Sequence, residues 1–288
     1  MKVLSKVKVL AIVVALVMGV SLIAGCGGQQ KVADQPKTAE IQGTVTASGS
    51  TALLPLLKPA QEEFQKKHAK ATVNIAGGGS FTGQNQVASG SVNIGNSDVG
   101  LQDSLKNQGL VEHKLAGIPF VFIAHPGVTV DSLTQEQYIG IMTGKITNWK
   151  EVGGSDQAIA IIHRAKSSGS RATIAEIVLK GAAFTDNAVI QDSNGAVRAA
   201  IGSTPGAIGY VDAAYVDASV KALAYNGAKY SLDNVQGGKY PVYTFGRMFT
   251  KGEPTGAVKS FIDYVTGKEF QESYAEKNGF IPLTKVPK

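Results

Sequence analysis

The sequence predicts an α/β protein with a largely parallel sheet, on three observations. From about Ile41 short β-like runs alternate with amphipathic helical stretches, the pattern of strand–helix–strand units. Four small-residue loops, ASGST at 47–51, GGGS at 77–80, NSD at 96–98 and SSGS at 167–170, sit where strands end and, in most cases, where helices begin. No fixed-period repeat underlies the alternation.

The N-terminal segment stands apart from the fold. MKVLSKVK carries three lysines and no acid, and an almost wholly apolar run follows as far as Cys26. A basic start, a short apolar stretch and small residues before a cysteine describe a secretion signal over 1–25; the uninterrupted run is shorter than the ~20 residues of a membrane span. Ile23, Ala24, Gly25 and Cys26 resemble the bacterial lipobox, in which the cysteine is acylated and becomes the mature N-terminus. An uncleaved anchor helix with an incidental cysteine is the alternative. The polar, unpatterned residues that follow read as a flexible tether over 26–40.

Then come the elements in order. GTVTASGS reads as a strand, and residues 52–68 as a helix with Leu53, Leu56, Leu57, Ala60 and Phe64 at helical spacing. ATVNIAGGGS repeats strand and glycine turn before a helix from about Thr82 to Ser89. SVNIGNSDVG is a third strand, GIPFVFIAHPG a longer apolar run bounded by prolines, and IAIIHRAKSSGS a strand emptying into a hydroxyl-rich loop. GAIGYVD and KYPVYTFGRMF are later strands; AVKSFIDYVTG and KEFQESYAEKNG close the chain as helices.

Composition narrows the function. Cys26 is the only cysteine, which leaves no internal disulfide, no cysteine zinc site and no cysteine nucleophile. The whole chain has 28 basic and 22 acidic residues; without Lys2, Lys6 and Lys8 the mature part carries 25 against 22, a charge near +3. That mild excess, without a Lys/Arg run, gives no case for nucleic acid. His68, His113, His125 and His163 lack metal-ligand spacing, so no metal or cofactor is expected. There is no G-x-S-x-G elbow and no histidine paired with a serine.

What remains is the recurring loop. Helix N-termini carry unpaired N–H groups and partial positive charge, so several directed at one place form an anion site. Any one such loop also reads as a plain Ser/Thr helix cap. HRAKSSGSRATIAE at 163–176 puts an arginine, three hydroxyls and a glycine into one short loop, a spacing that suggests something anionic sits there.

These residues resemble the phosphate-binding proteins of bacterial phosphate ABC transporters, the PstS type. The resemblance spans roughly 41–285. It rests on SGSTALLPL, GGGSFTG, IGNSDVG, GKITNWKEVGG, IHRAKSSGSRATI, DSNGAVRAAI and PGAIGYVD; GKITNWKEVGG and PGAIGYVD are the specific ones. It implies a two-lobed, type II-like periplasmic-binding-protein fold, with two mixed sheets flanked by helices and joined by a two-strand hinge. The lobes so implied are 41–119 plus 247–288, and 126–240, with hinge strands at 120–125 and 241–246. By position, the resemblance implies phosphate contacts from Ser50, Thr51, Ser80, Asp98, Arg164, Ser168, Gly169 and Ser170, and acylation (palmitate-type) at Cys26. Some relatives carry an acid two residues after the arginine; here Lys166 stands there, read as a solvated rim lysine.

The function implied is an extracytoplasmic, lipid-anchored, monomeric receptor, not an enzyme, at the cell membrane or on the periplasmic side of an outer membrane. It hands inorganic phosphate to an ABC permease. A binder of another tetrahedral oxyanion, a secreted phosphatase-like enzyme and a scaffold lipoprotein are the other classes. Trp149 is read as a structural anchor, since phosphate has no ring to stack on, and His163 as pointing away from the site. Tyr210, Tyr215, Tyr225 and Tyr230 are read as packing and lobe surface.

Overall fold

The structure, a computed structural model, describes residues 40–287. The expected signal over 1–25, Cys26 and the expected tether as far as residue 39 lie outside the described residues.

Strand β1 (Gln42–Gly49) leads into helix α1 (Leu54–Lys67), β2 (Lys70–Ala76), α2 (Ser80–Ala88) and β3 (Ile94–Ser97). In β2 exposed and buried residues alternate, with Ala71, Val73 and Ile75 inward, the pattern of a strand with one wet face. Helix α1 starts with Pro55 in its first turn, where no N–H is missed, and ends on Lys66 and Lys67, which complement its dipole. Leu56, Leu57, Ala60 and Phe64 form its buried stripe. Helix α2 begins at Ser80, two residues before the expected Thr82, because the serine of GGGS is already helical.

Strand β4 (Leu110–Ala124) is fifteen residues long. Beyond it come β5 (Ser132–Leu133), α3 (Gln135–Met142), β6 (Ala160–Arg164), α4 (Gly169–Ile177), β7 (Val189–Gln191), α5 (Asn194–Ser203), β8 (Ala207–Asp212), β9 (Lys221–Ala222), β10 (Ala224–Tyr225), α6 (Leu232–Gln236), β11 (Tyr243–Lys251) and α7 (Gly256–Thr266). The expected last helix is present in pieces, an α turn at Lys268–Phe270, a π turn at Gln271–Ala275 and a 3₁₀ turn at Glu276–Asn278. Buried Gln271 ties them to the fold by donating to the carbonyls of Leu115 (3.0 Å) and Val265 (2.7 Å).

The strands pair in one continuous order, β2-β1-β3-β11-β4-β8-β6-β7, with β9 also on β4. The pairing is mixed rather than largely parallel. β1 pairs parallel with β2 and β3, and β6 with β7 and β8, as helical crossovers require. β11 runs antiparallel to β3 and β4, and β4 antiparallel to β8. β4 changes partner midway: Leu110 to Pro119 pair with β11, and Phe120 to Ala124 pair with β8. One strand thus belongs to two sheets, and every residue from Leu115 to Ala124 is buried.

Two apolar layers hold these sheets. Val45, Val73, Phe64, Phe261 and Val265 belong to the larger core; Ile123, Ile162, Val197, Ile201 and Val211 form a second one where α5 covers the β8–β6 face. Trp149 is buried and its indole N–H donates to the Gly206 carbonyl at 2.9 Å, an anchor in the core. Among the described residues no helix is long and apolar enough to cross a membrane.

Candidate anion-binding site

The small-residue loops at the ends of β1, β2, β3 and β6 meet at Asp98, which follows β3 and is buried. Ser50 Oγ, just past β1, donates to Asp98 Oδ1 and accepts the Ala52 N–H at 3.1 Å. Ser170, in the first turn of α4, donates to Asp98 Oδ2 at 3.0 Å. Ser80 Oγ, at the start of α2, accepts the Asp98 backbone N–H at 2.9 Å. The hydroxyl protons of Ser50 and Ser170 are therefore spent on the carboxylate, whereas Ser80 keeps its own proton to give.

Glycines let these loops approach. Gly49 (φ +133°) and Gly79 (φ +94°) take conformations that side chains avoid, and the Gly79 N–H bonds the Gly49 carbonyl at 2.8 Å. A Cβ on Gly79 would stand 2.5 Å from the Ser167 carbonyl, to which the Phe81 N–H donates at 3.1 Å. Gly169 packs on Ser80, so the N-termini of α2 and α4 abut. Two positive helix ends at one point favour negative charge there. Ser168 caps α4 by accepting the Arg171 N–H at 3.2 Å.

Arg164 ends β6 and is 1 % exposed. Its Nε donates to the Gln191 carbonyl (3.3 Å) and its Nη2 to the Asp192 carbonyl (2.8 Å), which fixes the guanidinium plane. Nη1 is buried without a hydrogen-bond partner among the described residues. Buried donors are normally satisfied, so this N–H fits an incoming oxygen. Burial lowers the Arg164 pKa, while the Asp98 charge opposes that shift. Asp98 is raised by burial; hydrogen bonds from Ser50 and Ser170 and the charges of Arg164 and Arg247 pull it back. A free guanidinium N–H, a free serine proton and a buried carboxylate together suit an oxyanion that still carries one proton.

The structure thus brings Ser50, Ser80, Asp98, Gly169 and Ser170 into one cluster, with Ser168 behind it as a cap. Thr51 turns instead to Asn194, whose backbone N–H and Nδ2 both donate to Thr51 Oγ1 at 3.3 and 3.1 Å. Asn194, Tyr215 and Arg247 were not foreseen. Tyr215 corrects an expectation: it is not mere surface, because its hydroxyl donates to the Thr51 carbonyl at 2.6 Å. Arg247 Nη1 donates to the Asp98 carbonyl at 3.2 Å. The signal for Asn194 was DSNGAVRAAI, a serine-capped helix start like the others. Lys166 is exposed. His163 is buried, with Nδ1 2.8 Å from Arg171 Nη1 and its ring against Phe184. Among the described residues no three His, Cys, Asp or Glu side chains gather as a metal site.

Two sheets sharing a strand, with strand-end loops closing on a buried cluster of hydroxyls, a carboxylate and an arginine, define a two-lobed solute-binding protein. Comparison with known proteins agrees. A family model described as a PBP superfamily domain matches residues 34–269. The phosphate-binding protein PstS of Bacillus subtilis (strain 168) is 38 % identical over 284 residues, covering 96 % of this chain and 94 % of that one. The crystal structure of a putative phosphate ABC transporter substrate-binding protein from Clostridium perfringens, with bound phosphate, superposes with a TM-score of 0.80 at 33 % identity, over 84 % of this chain and 100 % of that one. An ABC-type phosphate transport receptor from Vibrio cholerae gives a TM-score of 0.67 at 26 % identity, covering 82 % and 99 %. The chain belongs to the PstS family of phosphate-binding proteins, within the PBP superfamily. This is a family of transporter receptors, not of enzymes.

Proposed function

We propose that this protein is an extracytoplasmic receptor that binds inorganic phosphate and delivers it to the permease of a phosphate ABC transporter. The observation that carries the reading is the pairing of Arg164 Nη1, a buried donor lacking a protein acceptor, with Asp98, a buried carboxylate in the same site. The arginine holds ligand oxygens, and the carboxylate accepts the proton that phosphate retains near neutral pH. We assign the remaining contacts to Thr51, Ser80, Ser168, Gly169 and the backbone N–H of Ser170, with Ser50 beside the ligand as a donor to Asp98. Isothermal titration of the soluble part (residues 40–288) with phosphate tests this; binding of sulfate in preference to phosphate would overturn it.

The lobes we assign are 41–119 plus 247–288, and 126–240, hinged at 120–125 and 241–246. The change of partner along β4 at Pro119 and Phe120 supports the first hinge strand, and the Phe120 N–H bond to the Val242 carbonyl (2.9 Å) supports the second. The protein acts as a monomer anchored by acyl chains on Cys26, a reading that rests on the lipobox-like residues 23–26. Detergent-phase partitioning of the full chain tests the anchor: Cys26→Ser should move to the aqueous phase, and retention would favour an uncleaved helix.

A further inference from the structure

Thr51 and Asn194 are 143 positions apart, and both are buried. Asn194 is the first residue of α5, whose opening N–H groups have no partner within the helix. Its own N–H is satisfied by Thr51 Oγ1, and its side-chain Nδ2 donates to the same oxygen. The side chain cannot flip, because Asn194 Oδ1 accepts the Asp212 N–H at 3.1 Å. That bond sets which end of the amide faces Thr51.

A threonine hydroxyl has two acceptor lone pairs and one proton. Asn194 takes both lone pairs, so Thr51 has only its proton left to offer. The backbone of the threonine is pinned too, since the Tyr215 hydroxyl donates to its carbonyl. Thr51 stands beside Ser50, whose hydroxyl bonds Asp98. We propose that Asn194 is a positioning residue of the anion site, acting through Thr51: it fixes the Thr51 hydroxyl as a pure donor toward the ligand and joins the two lobes as they close. The inference rests on the phosphate-receptor reading above and adds to it a residue from the β7–α5 junction, outside the four loops that meet at Asp98. A hydroxyl held this way can only donate, so it suits an unprotonated ligand oxygen and leaves the ligand's own proton to Asp98.

A double-mutant cycle on the soluble part, read by calorimetry with inorganic phosphate, tests it. Asn194→Ala and Thr51→Val should each raise Kd by about tenfold, the worth of one charge-assisted hydrogen bond. The double variant should bind no worse than the weaker single one, because both remove the same oriented donor. A merely structural Asn194 would lower thermal stability yet leave the losses in affinity independent, so that they multiply. Multiplying losses, or an Asn194→Ala protein that binds like the parent, would overturn the proposal. If Asn194→Ala does not fold, Asn194→Ser, which keeps a small polar group at the helix start, takes its place in the cycle with the same two outcomes. A parent protein that ignores phosphate would instead remove the receptor reading, and this inference with it.

Discussion

Gly169 lies against Ser80 so closely that a Cβ at residue 169 would overlap the serine hydroxyl and stand 2.8 Å from Ser80 Cβ and 3.0 Å from Asp98 Cβ. The two residues come from helices α4 and α2, on opposite sides of the proposed cleft. Glycine is needed there for space, since its backbone is not in the left-handed region. Gly169→Ala should therefore hold the helix ends apart. Overpacking costs about 1–3 kcal/mol, so the phosphate Kd should rise roughly tenfold or more. Calorimetry decides: an unchanged Kd would mean that the two helix ends do not meet in the bound protein.

Arg164→Lys keeps the charge and loses the fork. In the parent, two guanidinium nitrogens are held by the carbonyls of Gln191 and Asp192 while Nη1 stays free. A lysine ammonium cannot bond both carbonyls in that plane and still present a fixed donor. Loss of one charge-assisted bond, about 1.5–3 kcal/mol, predicts about a tenfold or larger rise in Kd. Equal affinities in titration would remove Arg164 from the site.

Asp212 offers a test on stability. Its Oδ1 accepts the Ala214 N–H at 2.9 Å, but Oδ2 is buried without a partner among the described residues. Burial pushes its pKa well above the usual carboxylate range, and Asp98 adds to the rise. The folded protein therefore binds this proton more tightly than the unfolded chain does. Its charge penalises folding fully above the raised folded pKa, and the penalty fades as pH falls toward the ordinary value near 3.8. Asp212→Asn keeps an oxygen for Ala214 and removes the charge. The variant should melt about 2–4 °C higher at alkaline pH, for a gain of about 1 kcal/mol, and the gap should close on acidification. A gap that widens as pH falls would contradict this sign.

The sequence made legible those parts of the site that are local in the chain. Ser50, Ser80 and Ser170 each stand between a strand end and a helix start, so hydroxyl, glycine and helix pattern coincide within a few residues, and Asp98 directly follows the short strand β3. Asn194 and Tyr215 reach Thr51 across 143 and 164 positions, and Arg247 reaches Asp98 across 149. Periodicity carries no information about such pairs. The sheet went the same way. β2 was plain because it alternates, whereas the first residues of β4, with exposed Glu112 and Lys114 side chains on the solvent side of its pairing with β11, look like loop. The antiparallel course of β4 and β11 arises from the chain passing between two sheets, which no window of a dozen residues contains.

Asp98 gives the sharpest prediction. A carboxylate in an anion site repels the ligand and is costly to bury, and its burial indeed raises its pKa. Ser50 and Ser170 stabilise the charged form by donating to both oxygens. The arrangement makes sense if the ligand brings a proton. Phosphate near neutral pH still has a P–O–H to donate, whereas sulfate presents only lone pairs to a desolvated carboxylate. A site built around one hydrogen bond can reject the ligand lacking it by ~10⁴-fold or more, here by charge repulsion as well. Asp98→Asn separates the two effects. The amide oxygen still accepts the phosphate proton and a repulsive charge is gone, so phosphate affinity should change only a few-fold, on the order of 1 kcal/mol. The Ser170 hydroxyl can turn to accept from the new N–H, so the fold tolerates the change. The amide can instead present that N–H to sulfate, and discrimination should fall by about two orders of magnitude or more. Parallel titrations with phosphate and sulfate read both quantities, and an Asp98→Asn protein that refuses sulfate as firmly as the parent would place the discrimination elsewhere in the site.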